Sequence, residues 1–264
     1  MLMRQAPRRS YAKIRCILFA GAAIISGFTV TPSAYADDPT VLRLGIVSFL
    51  SGPAAGPFGV PAANAAKMMV DALNAGHVPS PYEASGIAGA QVEAIMVDEA
   101  GGVTKQVIEF RNMIQRRGVD VVIGYISSGS CLGIAPVAEE MKGLTVFHTC
   151  GTPRIFEEGN YRYVFRTASH SAMDGIGAAR YLIDRFPDLK TYAGINQNYA
   201  WGHDSWRDFE GALRILKPDL QFKTHQLPKL FAGQYNAEIS ALLVSRSEAI
   251  HSSLFGGDLE AFTF

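Results

Sequence analysis

Cysteine is scarce in this chain. There are three in 264 residues, and Cys16 lies ahead of an apolar run, which leaves Cys131 and Cys150 as the one pair in the body of the sequence. Two cysteines cannot build a disulfide scaffold; one bridge between them and two free, partly buried thiols both remain open. His170, His203, His225 and His251 have no metal-ligand spacing with those cysteines, so no metal site is expected. A Gly-x-Ser-x-Gly elbow is missing. The Gly-rich stretch 51–59 lacks both the dinucleotide fingerprint and the Lys-Ser/Thr ending of a nucleotide phosphate loop. No catalytic residue and no cofactor is expected, and an exported hydrolase is the weakest of the functional readings.

What is present starts at the N-terminus. Arg4, Arg8, Arg9, Lys13 and Arg15 form a cationic start without an acid, followed by an apolar run over 17–30 that ends at Ala34-Tyr35-Ala36. This reads as an export signal cleaved after Ala36, because the run is too short to span a bilayer comfortably and no basic stop-transfer flank follows it. Arg8-Arg9 also resembles the twin-arginine type of signal, so both export routes stay open. Cys16 follows Arg15 rather than a small residue, which argues against a lipid anchor. The remaining 228 residues carry 19 basic against 24 acidic side chains, a net charge of minus five. That balance disfavours nucleic acid and anionic membrane surfaces as partners and leaves small ligands open. Hydrophobic residues at 48% and charged residues at 18% fit a folded chain long enough for one large or two small domains.

Apolar strands and helical stripes alternate along the body of the chain. Strands are expected at 42–49, 92–97, 119–125 and 144–148, with helices at 62–73, 103–117 and 132–142 between them. After a turn-rich stretch at 150–160, helices at 172–185, 205–216 and 235–246 alternate with strands at 191–196, 221–226 and 249–255. Continuously apolar strands alternating with helices imply parallel sheets covered on both faces. Two such series imply an α/β chain of two lobes, taken as 37–160 and 161–264, with 163–167 crossing between them and the cleft lying there. Ligands in open parallel sheets sit at the carboxyl ends of strands. The loops 127–130, 150–152 and 198–202 all follow strands, and together they could hold a small carboxylate.

Several segments resemble the type I periplasmic substrate-binding proteins of the branched-chain amino acid transport family. They are Leu44-Gly45-Ile46 with Ser51-Gly52-Pro53, Val122-Ile123-Gly124-Tyr125-Ile126-Ser127-Ser128-Gly129, Pro136-Val137-Ala138-Glu139-Glu140, Tyr163-Val164-Phe165-Arg166-Thr167, Asn198-Tyr199-Ala200-Trp201-Gly202 and Phe255-Gly256-Gly257-Asp258. Their order and spacing cover nearly all of the chain after residue 36. The resemblance implies two α/β lobes that close on a ligand and present it to an ABC permease in the inner membrane, the protein acting as a periplasmic monomer. It implies a carboxylate held by Ser128 with Ser127 as neighbour, carbonyl and hydroxyl contacts from Cys150, Gly151 and Thr152, and closure by Trp201 with Tyr199. Phe58 and Asp258 fall at pocket-lining positions by the same resemblance.

Two departures bear on the ligand. The chain stops at Phe264, before the acid that pairs with a ligand amino group in that family, and it is expected to be a C-terminally shortened form whose second lobe lacks strands and leaves apolar surface exposed. Cys150 and Trp201 stand where a small residue and a tyrosine are common, which suits an aromatic or other hydrophobic acid as well as a branched-chain amino acid. A ligand-sensing regulator or receptor domain of the same fold is the alternative. Plainer roles stand beside these: Ser127, Ser128 and Ser130 as helix caps, Thr152-Pro153 as a turn, Trp201 as a hydrophobic lid, His148 as a structural histidine. Asp98-Glu99 reads as a solvated or helix-capping pair.

Overall fold

The computed structural model describes residues 40–264. The export signal, its twin-arginine pattern, Cys16 and the cleavage site at Ala36 lie outside the described residues.

Strand β1 (Val41–Ser48) pairs in parallel with β2 (Gln91–Asp98) on one side and β3 (Val121–Gly124) on the other. Strands β4 (Leu144–Phe147) and β5 (Val164–Arg166) complete a five-stranded sheet of order β2-β1-β3-β4-β5. Helices α2 (Gly102–Gln115) and α3 (Ser128–Met141) cover one face. There Val47, Phe110, Met113, Val122, Ile134 and Phe147 are fully buried together, which is the apolar stripe expected of α2 meeting a continuously apolar strand. Helix α1 (Val60–Ala75) covers the other face only in part. Leu44, Ile46, Val70 and Val92 form a smaller cluster, beside an apolar hollow of about 640 Å³ lined in part by Leu42, Ala66 and Met69.

The segment 163–167, read as a crossing, spends its middle as edge strand β5 on the first sheet. The crossing follows at once through Thr167–His170 into α5 (Ser171–Arg185), which packs along α6 (Ala200–Leu216) of the second lobe. There β6 (Thr191–Ile195) lies between β7 (Gln221–Gln226) and β8 (Ala249–Ser252), all parallel. Tyr192, Trp206, Phe209 and Leu213 pack on the α5–α6 face. Ala193, Ile195, Tyr235, Leu242 and Leu254 pack on the face covered by α7 (Asn236–Ser245) and α8 (Gly257–Thr263). Among the described residues no helix is long and apolar enough to cross a membrane.

Three expected elements begin or end elsewhere, each for a local reason. Helix α3 starts at Ser128, four residues before the predicted 132, because extended Ser127 caps it by accepting the Ser130 N–H. Helix α6 starts at Ala200 rather than 205. The chain turns tightly there, and a Cβ at Gly202 would lie 1.9 Å from the Gln197 carbonyl oxygen, so glycine is required for the approach. Strand β8 stops at Ser252 rather than 255, because the Ser253 N–H donates to Asn196 Oδ1 at 3.0 Å instead of to the ladder. The short helices α4 (Arg154–Glu157) and α8 had no periodic signature long enough to read.

Candidate functional site

A cleft of about 400 Å³ opens between the two lobes. Its walls are the loops that follow strands of both sheets, as expected for open parallel sheets. The first lobe contributes Phe58, Ile126, Ser128, Thr149 and Gly151, and the second Tyr199, Trp201, Ser253, Leu254 and Phe255. Ala168 and Ser169 from the crossing segment and Asp174 from the first turn of α5 complete the rim.

Aromatic rings form one side. Phe255 meets Phe58 edge-on, with centroids 5.2 Å apart, and lies 6.5 Å from Tyr199. Burial pushes the Tyr199 phenol above its ordinary range, and the Glu99 and Asp258 carboxyls add to this, so it stays a neutral donor. The Trp201 indole N–H donates to the Ser253 carbonyl at 3.1 Å, and its six-membered ring lies over Gly151. A Cβ on Gly151 would sit 2.2 Å from Cζ3 and 2.5 Å from Cε3 of that ring. Glycine at 151 is thus the condition for the two lobes meeting here.

Hydroxyls form the other side. Ser128 Oγ accepts the Thr152 N–H at 3.2 Å, and its own hydrogen remains free to turn toward the cleft. Ser253 Oγ is buried without a hydrogen-bond partner among the described residues. Its strand end is held by Asn196, whose amide group also contacts His225 Nε2 at 2.9 Å. His225 stacks on Trp206 at 4.2 Å, and burial pushes it down to about 4, which keeps it neutral at physiological pH.

The cleft gathers five of the nine residues expected from sequence: Phe58, Ser128, Gly151, Tyr199 and Trp201. The other four stand behind it. Ser127 is the cap of α3. Replacing it with alanine should cost the chain about 1 kcal/mol, read as a lowered denaturant midpoint. Cys150 is fully buried and joined to Cys131 as a disulfide across a Cα separation of 6.4 Å, which resolves the open choice between a bridge and free thiols. Thr152 donates its hydroxyl to Asp204 Oδ2 across the lobes at 2.5 Å. The carbonyls of Cys150 and Thr152 accept from Arg166 Nη1, and that of Gly151 accepts from the Ser171 N–H, so these oxygens are already engaged. Asp258 is buried rather than pocket-lining, accepting from Gln197 Nε2 and the Phe231 N–H, each at 2.9 Å.

The acid pair after β2 also differs from its sequence reading. Asp98 does turn outward, accepting from Ser51 Oγ at 2.6 Å and the Leu50 N–H at 2.9 Å. Glu99 turns inward and is 1% exposed. Ile126 N–H donates to its Oε2 at 2.7 Å and Ser127 N–H to its Oε1 at 2.8 Å. Burial pushes this carboxyl up to about 7, and the two amide bonds hold it back from rising further.

Two parallel α/β sheets whose strand ends face one hydroxyl-and-aromatic cleft define a two-lobed binding fold. The chain matches the model of the periplasmic binding protein family over residues 41–263, and it belongs to that family. The family consists of binding proteins, and membership implies a periplasmic location. The chain is 27% identical over 245 residues to the leucine-, isoleucine-, valine-, threonine- and alanine-binding protein of Pseudomonas aeruginosa, an alignment covering 91% of this chain and 58% of that one. It is 27% identical over 197 residues to the leucine-specific-binding protein of Salmonella typhimurium, covering 75% and 47%. It thus spans about half the length of these relatives. Among solved structures, a periplasmic binding protein from Burkholderia mallei superposes with a TM-score of 0.73 at 18% identity, covering 84% of this chain and 56% of the other. A solute-binding protein of an ABC transporter from Rhodopseudomonas palustris, in complex with p-hydroxybenzoic acid, superposes at 0.70 with 20% identity, covering 84% and 57%.

Proposed function

We propose that this chain is the solute-binding component of an ABC transporter, exported behind a signal cleaved after Ala36, with lobes at 37–160 and 161–264. It takes a small carboxylate between them: a branched-chain amino acid, or a related hydrophobic or aromatic acid or amide. The ligand-bound form then docks, as a monomer, on a permease in the inner membrane, and no bond in the ligand is made or broken.

The observation that carries this reading is the pairing of a polar and an aromatic wall, each built from both lobes. Ser128 Oγ and Ser253 Oγ bring hydroxyls to a cleft whose remaining wall is Phe58, Tyr199, Trp201 and Phe255. Hydroxyls, together with the Ser128 and Gly129 amides at the start of α3, suit a carboxylate. The rings suit an apolar body. Binding that engages both walls favours the closed arrangement by its differential affinity alone. Relatives named for leucine, isoleucine and valine, and a structural neighbour holding p-hydroxybenzoic acid, bracket the ligand class. The Cys131–Cys150 disulfide supports an oxidising compartment.

Calorimetric titration with leucine and with 4-hydroxybenzoate tests the reading. Saturable one-to-one binding of either ligand, recovered unchanged afterwards, is the expected result. Heat from neither, or recovery of a cleaved product, overturns it.

A further inference from the structure

We propose that Glu99 is a positioning residue for this cleft: its buried carboxylate grips the turn that presents Ser128, and protonation of that carboxylate loosens the grip.

The argument begins with the turn itself. Between β3 and α3 the chain passes through Tyr125 at φ 64°, in the left-handed region that is costly for a residue with a side chain. Such a conformation persists only where its surroundings fix it. The next two amides, those of Ile126 and Ser127, each donate to a different oxygen of Glu99, at 2.7 and 2.8 Å. Ser127 then caps α3, and Ser128, its first residue, faces the cleft. One side chain therefore sets both the end of the strained turn and the start of the helix.

The grip depends on charge because both oxygens must accept. A protonated carboxyl presents O–H at one oxygen, and one partly buried amide is left without its acceptor, which costs free energy. Besides the two amides, the Ser130 side chain favours the charged form of Glu99, and burial outweighs all three. Asp98 on its own strand end carries the same sign; Tyr125 from the turn and Tyr199 from the start of α6 are phenols whose own titration Glu99 pushes upward. On α2, Gln106 donates to the Asp98 and Ala100 carbonyls, and the Lys105 ammonium is engaged with the Ala100 carbonyl at 3.0 Å. With burial pushing the Glu99 carboxyl up to about 7, the change from gripped to loosened falls near neutral pH.

The experiment follows the Ile126 and Ser127 amide resonances of the whole chain by nitrogen-edited NMR from pH 5 to 9, in wild type and in E99Q. Expected are shifts of both amides in wild type with one shared midpoint near neutrality, absent in E99Q. In parallel, leucine and 4-hydroxybenzoate affinity should fall about tenfold on acidification of wild type across that midpoint, and should be weak and flat with pH in E99Q. Amides that do not titrate in wild type, or that titrate alike in E99Q, overturn the proposal. The wild-type titration decides the matter even if E99Q does not fold. The affinity measurements rest on the solute-binding reading, whereas the amide titration does not. A chain that binds neither ligand but shows the titration refutes that reading and leaves the positioning role standing.

Discussion

Replacing Gly151 with alanine should weaken ligand binding by about a hundredfold while leaving the fold intact. The added methyl would lie 2.2 Å from Cζ3 and 2.5 Å from Cε3 of Trp201, far inside van der Waals contact, and the indole cannot swing aside without giving up its bond to the Ser253 carbonyl. The clash therefore separates the lobes at the point where the cleft closes. An aromatic anchor of this kind is worth about 2–4 kcal/mol in recognition, and a hundredfold corresponds to about 2.7 kcal/mol. Because the lost contact is a single pair, W201A and the double variant G151A/W201A should bind equally weakly. Calorimetry on the three variants checks this, and full affinity in G151A would show that Trp201 does not close on the first lobe. Unfolding of G151A should remain near that of wild type, since neither side of the contact belongs to the packed core of the first sheet.

The second large effect concerns the disulfide. Cys131, in the first turn of α3, and Cys150, in the loop after β4, are 19 residues apart. Closing a loop of that size restricts the unfolded chain by about 3 kcal/mol. For a chain of this length the double variant C131A/C150A should lose roughly 6–12 °C in Tm, and added reductant should lower wild type by a similar amount. The bridge also ties the Ser128 turn to the Gly151 loop, the two first-lobe segments that line the cleft. Ligand affinity should fall along with stability. An unchanged Tm in reductant would contradict the bridge.

The two-lobed architecture was legible because its signal is periodic. Apolar strands such as residues 121–124 and the stripe through Val107, Phe110 and Ile114 repeat at the spacing of the elements they form. The cleft was legible in part, since position after a strand selected the loops 127–130, 150–152 and 198–202, and the family resemblance pointed within them to Ser128, Gly151, Tyr199 and Trp201. What could not be read was direction. Asp98 and Glu99 are neighbours in sequence, and nothing in their chemistry says that one turns to Ser51 while the other is buried under the Ser128 turn. Ser253 and Phe255 read as strand, because the bond from the Ser253 N–H to Asn196 that lifts them into the cleft joins residues 57 apart. The family resemblance put Asp258 at a pocket-lining position, yet Gln197 and Phe231 draw it inward. Pairings at such separation are set by tertiary packing rather than by local pattern.

Indole emission gives the most direct test of the inter-lobe cleft as the ligand site. The chain has two tryptophans, and in W206F the one that remains, Trp201, stands on the cleft wall. Titrating this variant with leucine or 4-hydroxybenzoate should produce a saturable change in emission with the midpoint found by calorimetry. Calorimetric binding with Trp201 emission unmoved would place the ligand elsewhere and contradict the account.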